Sequence, residues 1–378
     1  MTGRSAGISP ERATALLKQM VAIYSPSGKE VELGRFLTRE LERRGLPLQR
    51  QPVDGERENL LVLPDGDLSL LFVGHIDTVH AADLEDVVAV TREGRLYGLG
   101  AADMKGGCAA MIEAITAIYR QKGENCGVGL ALVVGEEETG DGAVKMLETV
   151  RPPYAVIGEP TELRVCLSHF GYLEVSAEVK GTRRHASLAD ASLHPVECLL
   201  QLTMSMVHEL KNHHPKLTYN LRDLRSSQNG FAVPDWATVS IDIHLPPGMG
   251  APADLAGRIE RLFLSESGQY ESLASKIRFP TLVEGYTVDD ADPFVTKVKA
   301  AFDAQMRPFS TDAFVSHSDG NVFKEAGVFP IVLGPGSLHK AHAPHESVRI
   351  DEVIAAAWIY LELSRLVASA PTGASSGI

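Results

Sequence analysis

The run Val128-Gly-Leu-Ala-Leu-Val-Val134 carries no polar side chain and leads directly into Gly135-Glu-Glu-Glu-Thr-Gly140. An unbroken apolar stretch of this length suits a strand buried on both faces. Three carboxylates are thus delivered together at the end of a core strand. Like charges side by side repel and are costly to desolvate, so such a cluster calls for a compensating cation or a proton-transfer task. An acidic, solvated loop is the alternative reading of the same residues. Histidines and acids recur at the ends of other expected strands, at His75, Asp77, Asp103, Glu159 and His342. Carboxylates mixed with imidazoles suit zinc, or a related divalent ion, better than calcium or magnesium.

A chain of 378 residues exceeds what one hydrophobic core usually supports, so two domains are expected. Ser9-Pro10 opens a first helix and a second runs to about Arg44. Segments 59–63 and 68–73 read as strands joined through Pro64-Asp-Gly66 as a hairpin. The second of them runs into Gly74-His-Ile-Asp77, where residues two apart share a face. Gly98-Leu-Gly-Ala-Ala-Asp103 precedes an apolar helix, and Asp103 there reads either as an N-cap or as a site residue. Alternating strands and helices through Glu159 indicate an α/β domain. From about Cys166 the pattern changes to half-exposed strands at 172–179 and 238–244, with helices over 194–211 and 253–264 and a short strand near Ile277. That order is ferredoxin-like. After Asp289 the α/β pattern resumes, so one domain is inserted into another.

The formal charge of 36 minus 49, or -13, argues against binding a nucleic-acid backbone. No run reaches the roughly 18 apolar residues of a membrane span, and the N-terminus lacks an apolar signal region. Cys108, Cys126, Cys166 and Cys198 are far apart and read as reduced, buried thiols. Cytoplasm is the expected location. The tail 370–378, rich in Ser, Gly and Ala, reads as frayed.

Five segments taken in order resemble the metal-site motifs of the M20 family of zinc peptidases and amidohydrolases: Gly74-His-Ile-Asp-Thr78, Gly98-Leu-Gly-Ala-Ala-Asp-Met-Lys-Gly106, Glu136-Glu-Glu-Thr-Gly140, Gly158-Glu-Pro-Thr161 and Ala341-His-Ala-Pro-His-Glu346. The resemblance implies a zinc-peptidase-like catalytic domain, with a mixed central sheet flanked by helices, over 1–166 and 288–378. A ferredoxin-like lid and dimerisation domain over 167–287 would interrupt it. It implies two divalent ions, zinc first and cobalt or manganese as substitutes. Asp103 would bridge them, with His75 and Glu159 on one and Glu138 and His342 on the other. Asp77 would accept the free ring N–H of His75 and fix its tautomer. The family pattern acidic-Glu-Glu-x-Gly, anchored on Gly140, assigns Glu137 as the general base toward a metal-activated water. Ala-His-x-Pro-x-Glu selects His342 over His339 and His345.

Lys180-Gly-Thr-Arg-Arg-His185-Ala-Ser187 resembles the segment whose histidine supports the oxyanion in the partner subunit's active site, which implies a homodimer. A solvated histidine is the alternative. The chain departs from the family at Leu99, Phe231 and His244, where Arg, Asn and Arg are common. Arg183, Arg184, Arg222 and Arg225 are candidates for a substrate carboxylate clamp or are solvated charges. Ser318-Asp-Gly-Asn321 falls where relatives carry a substrate-side segment. The expected activity is hydrolysis of the amide bond of an N-acyl amino acid, as in deacetylases and desuccinylases. A dipeptidase or carboxypeptidase is the nearest alternative, and a noncatalytic, metal-stabilised binding protein the alternative of another class.

Overall fold

The computed structural model describes residues 7–83, 87–228 and 230–368, so the tail 370–378 lies outside the described residues. The chain divides into two compact units. One comprises 1–167, 288–312 and 318–378, and the other 168–287 and 313–317.

At the centre of the first unit, strands Leu70–His75, Val128–Val133, Tyr154–Ile157 and Phe329–Val332 run parallel to one another. Every residue of the first two is buried, which is why they read as continuous apolar runs rather than alternating ones. Two strands, Leu48–Asp54 and Arg57–Val62, form an antiparallel hairpin at one side, so the sheet is mixed. Helices Gly106–Lys122 and Ile350–Ala368 pack on each other and on the central strands.

The expected hairpin through Pro64-Asp-Gly66 does not form. Strand Val128–Val133 lies between Arg57–Val62 and Leu70–His75 and pairs with both. A strand buried on both faces needs partners on both edges, and direct pairing of the two expected strands would leave no room for one.

The helix Gly106–Lys122 approaches the strand ends unusually closely. A Cβ placed on Gly107 would lie 2.2 Å from the carbonyl oxygen of Gly158, immediately before Glu159. Gly334 meets the same oxygen at the same distance. Glycine is thus required for contact between backbones, not for an unusual dihedral.

In the second unit, strands Gly171–Lys180, Thr218–Ser226, Trp236–Leu245 and Ala274–Arg278 alternate with helices Pro195–His213 and Pro252–Ser267. The antiparallel sheet runs, in space, Thr218–Ser226, Trp236–Leu245, Gly171–Lys180, Ala274–Arg278, the ferredoxin-like order. Leu202, Met206, Leu255, Ile259 and Phe263 cover Val175, Ala177, Val239 and Ile241 in one core.

Gly107→Ala is expected to force the helix away from Gly158 and to lower stability by about 1–3 kcal/mol, the usual cost of overpacking. Chemical denaturation of metal-free protein measures it; an unchanged midpoint would show that the backbone contact carries no constraint.

Candidate metal centre

Parallel strands place their carboxyl ends on one edge of the sheet, where open α/β sheets bind their ligands. Leu70–His75 ends in His75 and Asp77, Val128–Val133 in the glutamates, and Tyr154–Ile157 in Glu159. The turn 101–105 before helix Gly106–Lys122 brings Asp103, joined to Met104 by a cis peptide bond.

Two overlapping groups of metal-competent side chains form there, His75 with Asp103 and Glu159, and Asp103 with Glu137 and His342. Nε2 of His75 lies 3.1 Å from Oδ1 of Asp103 and 3.7 Å from Oε1 of Glu159. Nε2 of His342 lies 3.5 Å from Oδ2 of Asp103 and 3.0 Å from Oε2 of Glu137. Asp103 belongs to both groups and presents a different oxygen to each, the arrangement of a bridging carboxylate. Oε1 of Glu159 is buried with no hydrogen-bond partner, which a cation would satisfy. The donor set of carboxylates and imidazoles fits zinc or a similar divalent ion.

The electrostatics agree with that fit. Burial, and then the charge of Asp103, raises the Glu159 carboxyl well above the usual carboxylate range. Burial followed by Asp319, Glu137 and Asp103 does the same to Glu136. Burial opposes charge on His342, but its hydrogen bond to Glu137 and the surrounding carboxylates bring it up to about 9. Burial likewise opposes charge on Asp103, yet His75 and His342 hold it down at about 2. Carboxylates exceed imidazoles here, and positive charge is what the cluster lacks.

The glutamates stand one residue away from the expected register. Glu137, not Glu138, meets His342 and Asp103. Glu138 points outward with its side chain 58% exposed, its carboxylate 3.9 Å from Nε2 of His80. Glu136 is the inner residue, 9% exposed and 3.9 Å from Nε2 of His75. The reason is which glycine anchors the loop. Gly140 has open space where a Cβ would stand, whereas a Cβ on Gly142 would lie 2.2 Å from the Val134 carbonyl oxygen. The Gly142 N–H donates to that same oxygen, and Asp141 accepts two hydrogen bonds from Arg57. Gly142 lies two residues beyond the glycine of the motif, and its constraint arises only against Val134.

Asp77 supports this loop more than it does the imidazole. Nδ1 of His75 faces the backbone carbonyl of Asp77 at 3.0 Å and its carboxylate only at 3.5 Å. That carboxylate accepts from Ser27 Oγ at 2.7 Å and from the backbone N–H groups of Glu136 and Glu137 at 3.2 and 3.1 Å. Glu346, in the His342 motif but without an assigned role, accepts from the N–H groups of Gly100, Ala102 and Asp103 at 3.1, 2.8 and 3.0 Å. It thereby ties the His342 loop to the Asp103 turn.

Other expected residues are dispersed. His185 belongs to the second unit, is exposed, and has Nδ1 2.8 Å from Ser187 Oγ. Arg222 pairs with Glu174 and Asp242, Arg225 with Asp223 and Arg183 with Asp235, which leaves Arg184 without an ion pair among the described residues. His339 and His345 are in neither group. Ser318 caps helix Asp319–Glu325, and Asp319 is buried with Oδ1 unpaired. Burial, only partly offset by His75, pushes its carboxyl up to about 7.

The pattern of Peptidase family M20/M25/M40 matches residues 71–365. The chain belongs to this family. It is 26% identical over 359 residues to an acetylornithine deacetylase of Photorhabdus laumondii, covering 88% of this chain and 91% of that one. It is also 26% identical over 368 residues to a probable carboxypeptidase of Aspergillus flavus, covering 89% and 83%. Among solved structures, the di-peptidase Dug1p of Saccharomyces cerevisiae matches with a TM-score of 0.79 at 14% identity, over 96% of both chains, and so shares the fold. Among the described residues, no helix is long and apolar enough to cross a membrane.

Two variants decide the register. Glu138→Gln is expected to keep the metal content of the wild type after dialysis, and Glu137→Gln to lose about one equivalent by elemental analysis. The reverse pattern would restore the assignment anchored on Gly140.

Proposed function

We propose that this member of the family is a dinuclear metal hydrolase that cleaves the amide bond of an N-acyl amino acid, the ions held by His75, Asp103 and Glu159 on one side and Asp103, Glu137 and His342 on the other. Zinc fits these donors, with cobalt or manganese as substitutes. Ions bound there would polarise the amide carbonyl and acidify the attacking water.

The observation that carries the reading is Glu136. It sits beside both groups and, unlike Glu137, is not needed as a ligand in either. Burial and neighbouring carboxylates raise its proton affinity, as a general base requires. Its carboxylate would take a proton from water and return it to the nitrogen of the leaving amine. Asp77 holds the backbone of Glu136 and Glu137 in place for these tasks. The acetylornithine deacetylase named above supports an N-acyl amino acid as substrate. The carboxypeptidase supports a second reading, a short peptide cleaved beside a free carboxylate, which presents the same amide to the same groups. Four buried, unpaired cysteines suit a reducing, cytoplasmic setting.

The reading extends to a homodimer formed through the second unit, which would act as a lid. His185, exposed in the short strand Arg184–His185, would then complete the partner's site as a donor to the developing oxyanion.

Glu136→Gln is expected to retain fold and metals while turnover falls by about 100- to 10,000-fold, the range for loss of a general base. Hydrolysis of a panel of N-acetyl, N-succinyl and dipeptide substrates measures it, with chelation abolishing activity and zinc restoring it. Activity indifferent to chelation would remove the proposal.

If His185 acts across the dimer, its loss costs about 100- to 1,000-fold, as for one oxyanion donor. Mixing His185→Ala with Glu136→Gln protein should then recover activity, because one site of each mixed dimer keeps both residues. Copurifying, differently tagged chains without recovered activity would place His185 outside the partner's site.

A further inference from the structure

The first unit holds a cavity of about 250 Å³ that adjoins the ligand groups through His342, one of its lining residues. Its walls are of mixed polarity: Val79, Val88 and Leu99 supply apolar surface, and His80, Arg92, His342 and His345 supply polar groups. An acetyl group would leave most of this volume empty, at about 30 Å³ for each water-sized group. The volume therefore has room for a group longer than two carbons on one side of the scissile bond.

The cavity also has a cation in its wall. Arg92 lines it, with the guanidinium carbon 5.0 Å from the ring centroid of Tyr97, another lining residue. Attraction to the aromatic ring restricts the arginine, and a guanidinium can meet a carboxylate with two parallel hydrogen bonds. Glu346 borders the same cavity, but its carboxylate is committed to the N–H groups of Gly100, Ala102 and Asp103. His80 and His345 are the other titratable groups of the lining, and neither is an anion. On a chain of formal charge -13, a cavity that joins apolar side chains to an arginine suits an aliphatic ligand with an anionic end.

We propose that this cavity is a substrate subsite for an aliphatic segment ending in a carboxylate, with Arg92 as its specificity-determining residue. The proposal rests on the function proposed above only in placing the near end of that segment at the metal ligands. The apolar side chains hold the methylene groups, and Arg92 reads the far end.

Adipate and hexanoate test it, since they match in length and differ only at one end. Calorimetric titration into Glu136→Gln protein, with and without zinc, reads binding without turnover, so a failure to hydrolyse N-acyl amino acids leaves the result interpretable. Adipate is expected to bind at least tenfold more tightly than hexanoate, beyond the factor of two from its two equivalent ends. Adding Arg92→Gln should reduce the ratio to about two while hexanoate binding stays unchanged. Adding Arg92→Lys, which keeps the charge but not the fork, should give an intermediate ratio and serves if the glutamine variant does not fold. A ratio of two or less before Arg92 is changed, or a ratio that survives both substitutions, overturns the proposal.

Discussion

Asp103 must stay ionised while almost fully enclosed, and the surrounding structure serves that requirement. A carboxylate removed from water needs opposite charge or several hydrogen bonds. Asp103 has the first in His75, at a strand end, and His342, on a loop, one at each of its oxygens. Further carboxylates then arrive at Glu136, Glu137 and Glu159 and exceed what two imidazoles can balance. The surplus is negative charge that a cation would offset, held in place by a sheet whose central strands are buried on both faces. Folding stability and cation affinity would oppose each other at this edge, because the repulsion that destabilises the cluster is what a bound ion would relieve.

Two other carboxylates, Asp77 and Glu346, are buried without joining either ligand group. Their oxygens accept backbone N–H groups, so they shape loops. Asp77 fixes the start of the glutamate loop, and Glu346 spans more than two hundred residues of sequence to reach the Asp103 turn. The position of His342 is thereby tied to that of Asp103.

Much of this was legible in the residues. Apolar runs identified the central strands, and His75, Asp103, Glu159 and His342, picked out at strand ends and by the family resemblance, lie together in the structure. What was missed had local causes. In three consecutive glutamates, the register is set by whichever glycine must accept a close backbone neighbour, and Gly142 shows that need only once Val134 is in place. The hairpin expected around Gly66 failed because turn chemistry is local while strand order is not, and a later strand, Val128–Val133, intervenes. Strand Thr218–Ser226 lies at an edge of its sheet and is mostly exposed, so it lacks the alternation that marks its neighbours. Three of the four candidate arginines have acidic partners across or beside their strands, a pairing invisible to a reading of spacing alone.

The division of the chain also bears on how such proteins can be recombined. The second unit takes 168–287 and then a five-residue return, 313–317, from a segment otherwise belonging to the first. That return carries His317, stacked on Tyr172 with ring centroids 4.3 Å apart. Excising 168–287 as a cassette would separate that pair and strip a strip of packing from each fragment. Transplanting the inserted unit between relatives therefore means moving two segments at four junctions, and a chimera built on a single continuous exchange inherits a mismatched seam.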